Sequence, residues 1–252
     1  SGLVGSEMCI RDRCKMSIEG KKIIITGGAT GYGYGDARAL KAAGGEVWIV
    51  GRRLERLRKA AEELGVRFIQ GDITRGEDWD RIMETVGEVD ILVNNAGIAV
   101  KVEPLLSFSD EEIFRSINGN LTGAILGCRR VAEKMVARKS GLIINVTSVC
   151  SHYGWPGFAC YTAAKAGLDM FSRALYTELR PHNVRVTVLT PSWGATEFGI
   201  AANLPPTGKE LAAKMMSPDQ MGELVRYICD FPEHLEFPEI MVQPLVQEII
   251  PF

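Results

Sequence analysis

The run YTAAK, Tyr161 to Lys165, sets a phenol and an ammonium group four residues apart. On a helix such residues share a face, with Cβ atoms about 5–6 Å from each other, so Lys165 can lie beside the phenol of Tyr161. A free phenol ionises near pH ~10, and a cation alongside favours the phenolate and lowers that value. A tyrosine held this way could exchange a proton with an alcohol or a carbonyl. A lone YxxxK reads more readily as a surface aromatic beside a solvated lysine, so the rest of the chain has to decide. The second chemical string is TGGATGYG, Thr26 to Gly33, which follows the apolar run KKIIITG and opens a helix. Gly27, Gly31 and Gly33 would let the backbone turn tightly against a pyrophosphate, and the helix start offers unpaired N–H groups and a partial positive charge.

The position about 20 residues further on is where an acid would hydrogen-bond the ribose of NAD. The chain has Gly51, Arg52 and Arg53 there instead. Two arginines at a helix start oppose the helix dipole. A bound 2′-phosphate relieves that conflict and suits guanidinium geometry, so NADP is expected in preference to NAD. The plainer alternative is a solvated basic face, since RRLERLRK continues with more cations.

The elements that must position these groups alternate regularly. KKIIITG, EVWIVG, VRFIQGD, VDILVNNAG, LIINVTS and VRVTVLTPS read as strands. Between them lie helical stretches: DARALKAAGG, RRLERLRKAAEELG with Gly65 as its stop, EDWDRIMETVG, a long amphipathic stretch from Ser109, and the segment carrying YTAAK. This alternation predicts an α/β fold with one parallel sheet covered by helices on both faces. After Pro191 the pattern loosens into WGATEFGIAANLPPTGKE, long enough for a substrate lid over about residues 192–217. A helix capped by Ser217 and Pro218 follows, then a tail with one short strand.

The totals bound the function. At 252 residues with a net charge of −2, the chain has no overall attraction for nucleic acid or an anionic membrane. It has no apolar run long enough to span a bilayer. Residues 1–15 lack both a secretory h-region and folding logic, and read as a disordered extension or a cloning or sequencing scar; residues 16–252 read as a single catalytic domain. The six cysteines are scattered without a CxxC pair, which favours reduced thiols and a cytoplasmic location. His152, His182 and His234 match no metal-ligand spacing, so no metal is expected.

From about Lys21 to Thr196 the chain resembles the short-chain dehydrogenase/reductase family. The resemblance rests on the order and spacing of TGGATGYG, NNAG (Asn94 to Gly97), NLTG (Asn120 to Gly123), Ser148 and YTAAK, with thirteen residues from Ser148 to Tyr161. It implies a Rossmann-type doubly wound domain and an alcohol dehydrogenase or carbonyl reductase. Tyr161 would be the general acid in reduction and the general base in oxidation. Lys165 would lower its pKa and bind the nicotinamide ribose, Ser148 would polarise the substrate oxygen, and Asn120 would support a water leading from Lys165 to solvent, with Asn118 as a rival. The cofactor would lie against Gly27, Thr30, Gly31, Tyr32 and Gly33 at its phosphates. Asp72 and Ile73 would meet its adenine, Asn95, Ala96 and Gly97 its ribose, and Pro191 and Thr196 its nicotinamide end. Asp72 reads equally as a cap for the segment after it.

Some positions depart from the family pattern. Ser192 stands where glycine usually follows the proline, and Ala164 replaces a frequent serine. The tail EIMVQPLVQEIIPF resembles the subset that oxidises small hydroxy acids, such as serine dehydrogenases, or reduces short polar aldehydes. Substrate selectivity is expected from Ser148, Cys150, Trp155, Tyr161, Trp193 and Phe198, with His152 and Tyr153 divided between pocket and packing. No lysine or arginine stands ready in these segments for an acidic substrate, although Lys209 or Lys214 could reach in from the lid. Two rivals remain: a dinucleotide-binding redox sensor, which would lack the serine, tyrosine or lysine, and a sugar-nucleotide epimerase or dehydratase, which would need a larger C-terminal domain. Family members assemble as dimers or tetramers through the long helices, and a homo-oligomer is expected here.

Overall fold

The structure is a computed structural model that describes residues 18–98 and 100–248. The extension expected over residues 1–15, with Cys9 and Cys14, lies outside the described residues. In chain order the elements are β1 (Lys22–Thr26), α1 (Gly31–Ala42), β2 (Glu46–Gly51), α2 (Leu54–Leu64), β3 (Arg67–Gln70), α3 (Gly76–Val86), β4 (Ile91–Asn94), α4 (Asp110–Ile117), α5 (Gly123–Arg138), β5 (Gly141–Val146), α6 (Ala159–Leu179), β6 (Val184–Pro191), α7 (Phe198–Ala201), α8 (Lys209–Ala212), α9 (Pro218–Cys229) and β7 (Glu239–Val242). The seven strands form one parallel sheet in the order β3-β2-β1-β4-β5-β6-β7. This is the doubly wound architecture expected from the alternation of elements.

Side-chain alternation explains why helices cover both faces. Ile23, Ile25, Ile91, Val93, Leu142 and Ile144 point into a core closed by Leu40 of α1 and by Met221, Val225 and Ile228 of α9. Their neighbours Ile24, Leu92 and Ile143 point the other way, into a core with Trp79 and Ile82 of α3, Val131 and Met135 of α5 and Leu175 of α6. A strand buried on both faces must be apolar along most of its length, as the runs III, ILV and LII are before each strand reaches Thr26, Asn94 or Asn145 at its carboxyl end.

Local chemistry sets the ends of several elements. Ser109 and Glu112 close α4 with a reciprocal capping box, and Ser217 and Gln220 do the same for α9, with Pro218 in its first turn. Gly65 ends α2 in the left-handed conformation at φ 64°. The amphipathic stretch from Ser109 is continuous through residue 138, but Asn118–Thr122 forms one wide π turn, in which the N–H of Gly123 donates to the carbonyl of Asn118. A π turn holds one more residue than an α turn, and this one carries Asn120.

The order of strands reverses between β1 and β4, and a crevice opens there at the carboxyl ends of the strands, the usual ligand position in such sheets. Thr26, Asn94 and Asn145 sit in register across β1, β4 and β5 at that edge. Asn94 Nδ2 donates to Asn145 Oδ1 at 2.9 Å, and Asn145 Nδ2 donates to Ser172 Oγ of α6 at 2.8 Å. This buried polar row ties the crevice to the helix that carries YTAAK.

Candidate active site

The phosphate end is a cradle that side chains would fill. Gly27 and Gly31 have φ of 69° and 57°, in the region that favours glycine. A Cβ on Gly33 would lie 2.5 Å from Asn95 Nδ2 and 2.6 Å from the carbonyl oxygen of Gly27. Thr30 is the N-cap of α1 without a side-chain capping bond, and the first turn has no acid, so the helix start remains open to an anion. Asn95 donates to the carbonyls of Thr26 and Gly27 at 3.1 and 3.4 Å, and the Ala96 N–H donates to Thr26 Oγ1 at 3.0 Å. NNAG is therefore the brace of the glycine turn as well as a lining of the crevice. Thr196 lies over Gly31, its Cβ 3.5 Å from where a side chain on that glycine would begin.

Arg52 and Arg53 are exposed at the start of α2, and neither is paired with a carboxylate among the described residues. Arg56, one turn on, bonds Glu197 at 2.5 Å and bridges the crevice to the segment after Thr196. Asp72 does not cap α3, whose N-cap is Arg75. Its Oδ1 accepts from the N–H and hydroxyl of Thr74 at 3.0 and 2.8 Å, forming a local turn instead. Ile73 follows it, with its side chain against Gly123.

The catalytic candidates converge where β5 ends and α6 begins. The Ser148 hydroxyl lies close enough to the Tyr161 hydroxyl to favour its ionised form, and it accepts from the N–H of Cys150 at 3.2 Å. Lys165 is buried, with Nζ 5.8 Å from the Tyr161 ring centre and donating to the carbonyl of Val146 at 2.8 Å. Asn120 donates to the carbonyls of Ile98 and Ser116, both at 2.9 Å, and accepts from the Ile98 N–H at 3.1 Å. Its side chain is committed to the loop after β4 and holds Gly97 beside Lys165: a Cβ there would lie 2.9 Å from Asn120 Oδ1 and 3.6 Å from Lys165 Nζ. Asn118, the rival, accepts a bond from Thr122 on the exposed side of the turn.

One expectation needs correction. Proximity to Lys165 was expected to lower the pKa of Tyr161, yet the phenol stands above its ordinary value. Burial is the main cause and the Cys150 thiol adds to the rise, against a bond from Ser148 that opposes it. Burial also brings the Lys165 ammonium down to about 8. Desolvation disfavours the charged form of both groups and is the largest cause of each shift.

The small cavity that reaches Tyr161 is lined by Val100, Lys101, Val102, Phe108, Ser116, Gly157, Phe158 and Phe198. The ring of Phe198 lies 5.4 Å from that of Tyr161, and Phe158 lies 6.2 Å away. Of the expected substrate residues, the cavity takes Tyr161 and Phe198. Trp155 packs on Tyr153 at 6.1 Å, Trp193 is 43% exposed, and Cys150 is buried beneath the site. Lys209 and Lys214 are exposed, and Lys214 pairs with Glu210. Sequence reasoning missed Lys101, which comes from the loop after NNAG, a segment without periodicity. Its ammonium bonds Glu112 at 2.8 Å and the carbonyl of Ser107 at 2.7 Å, and sits over the Phe108 ring.

Three ligand-type side chains also meet outside this cavity. His152, Asp169 and Glu239 lie within 4.8 Å of one another, a grouping that linear spacing did not show. Arg173 already bonds both carboxylates, each at 2.6 Å. The cluster is an ion-pair network that fastens the Ser148 loop to α6 and β7.

The short chain dehydrogenase family model matches residues 21–205. The chain is a short-chain dehydrogenase/reductase. As a member of this oxidoreductase family, it is 33% identical over 203 residues to carbonyl reductase [NADPH] 2 of Sus scrofa, covering 80% of this chain and 82% of that protein. It is 30% identical over 243 residues to serine 3-dehydrogenase of Agrobacterium fabrum, covering 91% and 96%. Its fold superposes on a closed form of serine dehydrogenase complexed with NADP+ with a TM-score of 0.84 and 30% identity, covering 91% of this chain and 97% of that one.

Proposed function

We propose that this short-chain dehydrogenase/reductase interconverts a small carbonyl compound and its alcohol, with NADP as cofactor and Tyr161 as the proton-transferring residue. The observation that carries the reading is the meeting of Ser148, Tyr161 and Lys165, with Tyr161 lining a small cavity and Lys165 beside Gly97. NADPH, when bound, would supply the hydride for the carbonyl carbon. Tyr161 then delivers its proton to the carbonyl oxygen, while Ser148 donates a hydrogen bond to that oxygen as negative charge develops. Lys165 holds positive charge behind the phenol, and Asn120 keeps Gly97 against it. Arg52 and Arg53, without carboxylate partners among the described residues, would receive the 2′-phosphate of the cofactor. The segment over about residues 192–217 acts as the lid, with Phe198 closing on Tyr161.

Two features favour reduction of a neutral carbonyl. The raised Tyr161 pKa keeps the phenol protonated and ready to donate. Lys101, the cation of the cavity lining, is committed to Glu112, so a substrate carboxylate would have to draw it away. The neutral class includes short aldehydes and ketones; hydroxy acids such as serine are the alternative within the same chemistry. The test follows absorbance of NADPH and NADH with a panel of both classes, using Tyr161→Phe as the control. NADPH consumption that falls by about 10²–10⁴-fold in the variant is expected, on the scale of removing a general acid. Full turnover in Tyr161→Phe, or NADPH binding without turnover on any substrate, would overturn the reading.

A further inference from the structure

The loop that begins at Pro191 is held by a residue from near the other end of the fold. Gln247 is only 7% exposed. Its Oε1 accepts two hydrogen bonds, one from the Trp193 N–H at 3.0 Å and one from the Ser192 hydroxyl. The turn that delivers it runs from Pro244, whose carbonyl accepts from the Gln247 N–H at 3.0 Å. That turn inverts the usual pattern: Leu245 and Val246 face solvent while the glutamine is inside. An amide buried in place of two available apolar neighbours is there for its bonds, because burying a polar group without partners costs free energy.

The anchored residues lead directly to the phosphate cradle. Trp193 and Ala195 bond the backbone of Met216 on either side of Gly194. Gly194 lies so close to the Tyr32 ring of α1 that a side chain there would collide with its hydroxyl. Two residues later Thr196 lies over Gly31. The height of this loop above α1 is thus set at Ser192 and Trp193, where Gln247 grips it. The Ser192 hydroxyl, absent from the glycine common at this position in the family, supplies one of the two bonds.

We propose that Gln247 is a positioning residue for NADPH, acting through Ser192 and Trp193 to hold the Pro191–Thr196 loop at cofactor-binding height. The proposal rests on the assignment of that loop to the cofactor. The test is NADPH affinity, read by fluorescence titration on protein whose melting curve shows it folded. Gln247→Leu should weaken NADPH about tenfold and Ser192→Ala about threefold, the scale of one or two hydrogen bonds. Gln247→Glu keeps an oxygen able to accept both bonds and should bind NADPH more tightly than Gln247→Leu. Because both bonds end on one atom, the Ser192→Ala/Gln247→Leu double variant should bind no more weakly than Gln247→Leu.

Unchanged affinity in folded Gln247→Leu would overturn the proposal. So would Gln247→Glu binding as weakly as Gln247→Leu, or full additivity in the double variant. If Gln247→Leu does not fold, Ser192→Ala decides: parental affinity overturns the proposal, and a loss restored by Ser192→Thr supports it. Failure of the parent protein itself to bind NADPH would instead sink the cofactor assignment beneath it.

Discussion

Tyr161 and Lys165 share one face of α6, and burial moves their proton affinities in opposite directions. The phenol keeps its proton well into alkaline solution, whereas the ammonium begins to lose its own near pH 8. Carbonyl reduction should therefore decline as pH rises through about 8, because the charge behind the phenol disappears while the donor proton remains. A kcat/KM profile from about pH 6 to about pH 10 measures this, and a flat profile would show that Lys165 stays charged in the working enzyme. A second residue-scale prediction concerns Asp36, which is fully buried in α1 with no hydrogen-bond partner for either oxygen among the described residues. Burial raises its pKa well above the carboxylate range. The folded protein then holds a proton that the unfolded chain has released, so stability falls as pH rises from the ordinary Asp value through the raised one. Asp36→Asn cannot ionise and should gain about 1–2 kcal/mol over the parent near neutrality, the scale of one desolvated polar group. Chemical denaturation at two pH values tests this, since the gap should close in acid. A gap independent of pH would mean that Asp36 does not titrate between the two states.

At the scale of elements, the crevice is crossed by one exposed ion pair, Arg56 of α2 with Glu197 at the entry to α7. Exposed pairs contribute about 0–1 kcal/mol to stability, so Glu197→Gln should leave the melting temperature nearly unchanged. The same pair ties the segment proposed as the lid to the basic side of the crevice. The variant should therefore release NADPH several-fold faster, at a rate on the order of what one weak contact allows; stopped-flow dissociation rates equal to the parent's would count against this role for the pair. The elements themselves were mostly legible in the sequence. Ser109 with Glu112, Ser217 with Pro218, and Gly65 are local signals for helix ends, and each end falls where these residues placed it. The meeting of Tyr161 with Ser148 was legible through ordered motifs. What escaped depends on contacts between distant segments. Lys101 reaches Glu112 from an irregular loop, Gln247 reaches back to Ser192, and His152 meets Glu239 across 87 positions. The direction of the Tyr161 shift escaped for a different reason: spacing reports the neighbour but not the depth of burial.

Considered as a whole molecule, the protein leaves Phe114 of α4 and Met170 of α6 exposed at 65% and 67% on helices that pack on each other. A second copy covering that face would remove both from water. Light scattering should find an oligomer that the Phe114→Glu/Met170→Glu double variant breaks into monomers; a monomeric parent would rule this face out. The helical run from α4 through α5 crosses the molecule with one break in rhythm, the wide turn at Asn118–Thr122. Losing a single codon there would leave an unbroken α-helix with every main-chain bond intact. The two flanking halves would keep nearly their present phase, because the wide turn absorbs its extra residue instead of passing it along, and the change would fall on the turn that holds the Asn120 amide against Ile98. No point substitution can reproduce or repair such a change. Across a lineage, the extra residue can be gained or lost without turning either flanking face, and its consequence falls on the placement of Asn120.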